Sequence, residues 1–165
     1  MENDFSKIAL QSRNHKKVQT IMHYVNKENL AKEHKMQKSG KATGIDKVSK
    51  EQYAENLDEN LENLIARMKT FSYRPQAVRR TYIPKTGSDK MRPLGIPAYE
   101  DKLVQGVMRK ILDQIYEWKF YDFSYGFRQG RNCHMAVRDI NQIVMTRKVN
   151  YVVDADIKGF FDNVD

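Results

Sequence analysis

Between Val78 and Pro97 stand Pro84, Gly87, Pro93, Gly95 and Pro97, and no helix survives that density of breakers. The runs between them, Val78-Arg79-Arg80-Thr81-Tyr82-Ile83 and Met91-Arg92-Pro93-Leu94-Gly95-Ile96, are extended in character, and Thr86-Gly87-Ser88-Asp89 is suited to turn. The spacing predicts a β-hairpin over about 78–97, with the second arm at an edge because Pro93 has no N–H to give. Lys85 and Arg92 then stand one on each arm, close across the turn. Two neighbouring cations repel unless an anion lies between them, and an ammonium beside a guanidinium fork makes a phosphate clamp. Two surface cations lying along apolar stems account for the same residues.

Around the hairpin the period changes to that of helices, so the fold class is α+β, mostly helical. Phe5, Ile8 and Ala9, then Val18, Ile21, Met22 and Val25, predict two helical segments before residue 30. Residues 31–48 lose the apolar period and gain Lys32, Lys35, Lys38 and Lys41. They end in Thr43-Gly44-Ile45-Asp46, as a basic loop or a solvated linker does. Ser49 and Gln52 form a capping box before the stripe Tyr53, Leu57, Leu61, Leu64, Ile65 and Met68, a helix ending before Arg74-Pro75. From Asp101 to Trp118, Leu103, Val104, Val107, Met108, Ile111, Leu112 and Ile115 mark a strongly amphipathic helix.

The stretch from Tyr121 to Arg131 interleaves aromatics with Gly126, Arg128, Gly130 and Arg131. Such a loop stacks on bases while its arginines hold a backbone, or packs its rings against a helix. Asn132 caps a further helix through Ala136, Ile140, Ile143 and Val144. That helix delivers the chain to Tyr151-Val152-Val153, which reads as a buried strand. On such a strand Asp154 and Asp156 share one face, placed to hold a divalent cation or simply to edge the sheet. Gly159 breaks the run, and Asp162-Asn163 suits the cap of a following helix.

Lys and Arg number 29 against 21 Asp and Glu, and the excess is uneven: residues 1–50 hold 11 basic and 5 acidic side chains. That asymmetry points to a polyanion as partner. No apolar run of membrane-spanning length occurs and the first thirty residues lack the apolar core of a secretory signal, so no membrane partner and a cytoplasmic location are expected. Cys133 is the single cysteine, and His15, His23, His34 and His134 show no metal-ligand spacing and are expected to be solvated.

Taken together, Tyr82-Ile83-Pro84-Lys85, Met91-Arg92-Pro93-Leu94-Gly95-Ile96-Pro97, Asp101-Lys102-Leu103-Val104-Gln105, Ser124-Tyr125-Gly126-Phe127-Arg128 with Gly130-Arg131, and Asp156-Ile157-Lys158-Gly159-Phe160-Phe161-Asp162 follow one another in a familiar order. That order resembles the reverse transcriptases encoded by group II introns, and Thr43-Gly44-Ile45-Asp46 is similar to their extra N-terminal block. The resemblance covers roughly residues 40–165.

It implies a right-hand polymerase: a basic helical extension over 1–48, fingers over 49–148 carrying the hairpin, and the first palm strand within 149–165. By matching position, Asp156 is the first Mg²⁺-binding aspartate, with the Ile157 carbonyl as a second ligand. Lys85 and Arg92 hold the incoming triphosphate, and Phe161 bars a ribose 2′-hydroxyl. Lys32, Lys35, Lys38, Lys41, Arg128 and Arg131 lie over RNA. The implied partners are intron RNA, template RNA with a DNA primer, and dNTP, with a homodimer formed through a sheet edge or the fingers.

The family completes its site with an adjacent aspartate pair, and this chain has no Asp-Asp dipeptide. These 165 residues are therefore expected to be an N-terminal portion that is inactive alone, its last strand lacking sheet neighbours. The alternatives are an RNA-binding splicing module without polymerase activity, a retron-type or diversity-generating relative, and a basic helical protein-interaction domain.

Overall fold

A computed structural model describes residues 5–15, 17–87 and 89–163, the side chains of residues 161 and 162 excepted. In chain order the elements are α1 (Ser6–Asn14), α2 (Lys27–Met36), α3 (Lys50–Glu55), α4 (Leu57–Lys69), β1 (Arg79–Pro84), β2 (Met91–Ile96), α5 (Tyr99–Tyr116) and α6 (Cys133–Thr146). The chain divides after Trp118 into two compact units. Among the described residues no helix is long and apolar enough to cross a membrane.

The first unit is built on α5. Tyr99, Leu103, Val107 and Ile111 recur every fourth residue and are fully or almost fully buried, packed with Ile8, Tyr24, Leu30, Tyr53, Leu61 and Leu64. Its first turn is fastened by charge. Glu100 takes a two-pronged contact from Arg67 Nη2 at 2.7 Å and the Tyr53 hydroxyl at 3.2 Å. Buried Asp101 accepts the Tyr73 hydroxyl at 2.5 Å and the Gln76 amide at 2.9 Å. Both acids sit where the helix dipole favours them, and together they tie α4 and the approach to β1 to the head of α5.

Several sequence expectations are corrected. The basic stretch 31–48 is not all loop, because α2 runs to Met36 from the Asn26 cap, whose Oδ1 accepts the Asn29 amide at 2.9 Å. Its apolar period fades because the buried face turns polar. Glu33 is held at 2.6 Å by Lys110, and His34, expected in solvent, is buried with Nδ1 2.8 Å from the Tyr99 hydroxyl. Gly106 lets the two helices meet, since a Cβ there would lie 2.2 Å from Glu33 Oε1. The single helix expected after Ser49 breaks at Asn56, where Asn60 Nδ2 takes the freed Tyr53 carbonyl at 3.0 Å.

In the second unit Asn132 caps α6 as expected, its Oδ1 accepting the Met135 amide at 3.0 Å. The expected buried strand is not formed: Tyr151, Val152 and Val153 join no ladder and are 84–88% exposed. A strand needs a neighbour, and the hairpin is the only sheet among the described residues. The helix expected to follow the Asp162-Asn163 cap would lie outside the described residues. Asp162-Asn163 itself ends a short 3-10 turn, Phe160–Asn163, in which Asn163 Nδ2 donates to the Gly159 carbonyl at 2.7 Å.

Candidate nucleic-acid interface

The hairpin register pairs Arg79 with Ile96, Ile83 with Arg92 and Pro84 with Met91, and the Lys85 amide continues the ladder to the Lys90 carbonyl at 2.9 Å. Opposed residues of an antiparallel pair share a face, so Arg79, Lys85, Lys90 and Arg92 all belong to one side. Lys85 and Arg92 are not directly opposite each other. They are diagonal neighbours on that side, a separation of about 7–8 Å between backbone positions, which an oxyanion between two long side chains can bridge. Both are exposed.

The base of the hairpin carries the lysine-rich loop. Arg79 donates from Nε and Nη2 to the Thr43 carbonyl at 3.0 and 2.8 Å, and Lys102 donates to the Ala42 carbonyl at 2.7 Å. Lys50 donates to the Gln37 carbonyl in the same manner. Buried Gly44 completes the seat, since a Cβ there would come within 2.5 Å of Ala98 Cα and 2.7 Å of the Pro97 carbonyl. Three cations therefore hold three loop carbonyls. No sequence signal marks Arg79 or Lys102 for this work, because their partners lie 36 and 60 residues away. Of the four lysines picked out by sequence, Lys32 and Lys35 ride on α2 and Lys38 and Lys41 on the loop. All four are exposed, and Lys32 is paired with Glu28 at 2.9 Å.

The aromatic loop of the second unit is organised by its own arginines. Arg128 donates to the Tyr121 and Ser124 carbonyls, both at 2.8 Å, and lies 5.3 Å over the Phe120 ring. Arg131 approaches Asp122 at 3.8 Å and lies over Tyr125, whose hydroxyl meets Asp139. The rings are turned outward: Tyr121 and Phe123 stack in parallel at 5.1 Å, and Phe127, at φ +57°, is fully exposed.

Asp156 and Ile157 stand in irregular, exposed chain before the 3-10 turn, and the Phe161 side chain lies outside the described residues. Among the described residues no group of three or more His, Cys, Asp or Glu side chains is placed to hold a metal ion. The oxygens of Asp156 and Ile157 nevertheless suit Mg²⁺ in kind, since that ion keeps several waters and takes one or two carboxylates along with substrate phosphates.

The chain is similar to known proteins over much of its length. The family model described as reverse transcriptase (RNA-dependent DNA polymerase) matches residues 83–165, from the hairpin to the aspartate. The Group II intron-encoded protein LtrA of Lactococcus lactis is 47% identical over 108 residues, 66% of this chain and 18% of that protein. Protein YkfC of Escherichia coli is 35% identical over 131 residues, 77% of this chain and 34% of its own length. The mitochondrial Nuclear intron maturase 1 of Arabidopsis thaliana is 32% identical over 71 residues, 42% of this chain and 9% of that protein. The chain thus spans a minor part of each.

Proposed function

Because the chain belongs to the reverse transcriptase (RNA-dependent DNA polymerase) family, we propose that the protein copies RNA into DNA and also grips a group II intron RNA as a splicing maturase. The observation that carries this is the hairpin register, which sets Lys85 and Arg92 on one face, at the start of the matched segment. In this reading the two cations bind the triphosphate of an incoming dNTP. They neutralise it and hold it in line for attack by a primer 3′-oxygen.

Asp156 and the Ile157 carbonyl would hold Mg²⁺, which when bound supplies positive charge to the phosphoryl group being transferred. Phe161 limits the space at the ribose 2′ position. Lys35, Lys38 and Lys41 hold the RNA backbone, and Tyr121, Phe123 and Phe127 offer faces to unstacked bases while Arg128 and Arg131 keep the loop in shape. Residues 49–148 form the fingers in this assignment, with 1–48 as the extension and 149–165 entering the palm.

The test is steady-state primer extension on an RNA template by the complete protein. Arg92→Met should raise the KM for dNTP about tenfold or more, the worth of a charge-assisted contact. It should leave the affinity for template RNA unchanged. An unaltered KM in both Lys85→Met and Arg92→Met would overturn the assignment.

A further inference from the structure

Between the end of α2, the lysine loop and the heads of α3 and α5 lies a small pocket whose lining includes four lysines, Lys38, Lys41, Lys50 and Lys102. No carboxylate lines it. Glu51, beside Lys50, is held below the ordinary carboxylate range first by its own backbone N–H and then by the Ser49 and Ser39 hydroxyls. Four like charges around one pocket make a positive potential that favours an anion among them. The ammonium groups of Lys50 and Lys102 are fixed by the Gln37 and Ala42 carbonyls, and each ammonium has three donors, of which the carbonyl uses one. Both stems are half-buried, whereas Lys38 and Lys41 stand exposed at the rim. The cavity measures about 20 Å³, room for one oxygen-sized group.

We propose that this pocket is an oxyanion-binding site that takes one oxygen of a phosphate group between Lys50 and Lys102 and leaves the others to Lys38 and Lys41. A single inserted oxygen suits a tetrahedral group whose remaining substituents stay outside, either a phosphodiester of an RNA strand or free phosphate. The site deepens the RNA contact proposed above and rests on that reading only for its source of phosphate. It also gives the loop's clips to α3 and α5 a second use: the bonds that hold Gln37 and Ala42 also aim the two inner ammonium groups.

The experiment titrates the 165-residue chain with inorganic phosphate at constant ionic strength, following the backbone amide signals of Ala42, Thr43 and Lys50 by NMR. Saturable shifts are expected. Lys102→Met should weaken the affinity about tenfold, and the rim variant Lys38→Met, which leaves the clip intact, about threefold. Lys69→Met, on α4 outside the pocket, should change nothing. Shifts that never saturate, or equal affinity in Lys38→Met, Lys102→Met and the unaltered chain, would overturn the site.

A second arm adds single-stranded oligouridylate. Displacement of phosphate by RNA identifies a phosphodiester as the natural occupant. Saturable phosphate binding without displacement supports the pocket as a site for free phosphate and counts against RNA on this loop. RNA binding in the absence of any phosphate site leaves the proposed function standing and sinks the pocket alone.

Discussion

At Gly44 an added methyl group has nowhere to go, because the atoms it would strike are backbone atoms of Pro97 and Ala98 that cannot swing aside. Gly44→Ala is therefore expected to destabilise the chain by about 1–3 kcal/mol, the usual cost of overpacking, read by urea unfolding. An unchanged midpoint would show that the loop is not seated there. The lysines differ in the same local way. Lys35→Gln, Lys38→Gln and Lys41→Gln combined should lower the log–log salt slope of single-strand RNA binding by about 2, at about 0.7 per phosphate. Lys32→Gln alone should leave it unaltered, since Glu28 already neutralises that ammonium at 2.9 Å. An equal effect from Lys32 would contradict the placement. The Thr-Gly-Ile-Asp motif and the lysines were legible as residues. Which cations hold the loop was not, because a carbonyl acceptor leaves no trace in side-chain identity.

Elements whose buried face is apolar could be read directly from their spacing, and α5 is the clear case. Leu103→Ala, at its fully buried centre, should cost about 2–5 kcal/mol, measured by denaturant unfolding, and a smaller loss would mean that the core lies elsewhere. In α2 the buried face uses Glu33 and His34, closed by Lys110 and Tyr99, so a hydrophobicity pattern cannot mark it. Burial, reinforced by Lys50 and opposed by Glu51, holds the His34 pKa below its ordinary value of 6.5. As pH falls through 6.5 the unfolded chain takes up the proton before the folded one, so stability is lost on acidification in that window. Unfolding curves at successive pH values should show a steeper acid-side loss in the natural protein than in His34→Gln; parallel curves would refute the burial of a neutral imidazole.

For the molecule as a whole, the order of short blocks identified the family while their pairing stayed hidden. The hairpin was legible because its two arms are adjacent in sequence. Tyr151–Val153 shows the opposite case: a β-branched, aromatic run states a preference, but a strand forms only where a neighbour supplies the ladder. The surfaces proposed for nucleic acid are likewise of two kinds, a cationic hairpin with its loop in the first unit and an aromatic loop with Asp156 in the second. Their joint purpose is tested most directly by RNA-templated DNA synthesis in the complete protein carrying Asp156→Asn, assayed beside RNA binding. A carboxylate that holds Mg²⁺ for the reaction predicts loss of synthesis with RNA affinity intact; synthesis at the unaltered rate would contradict it.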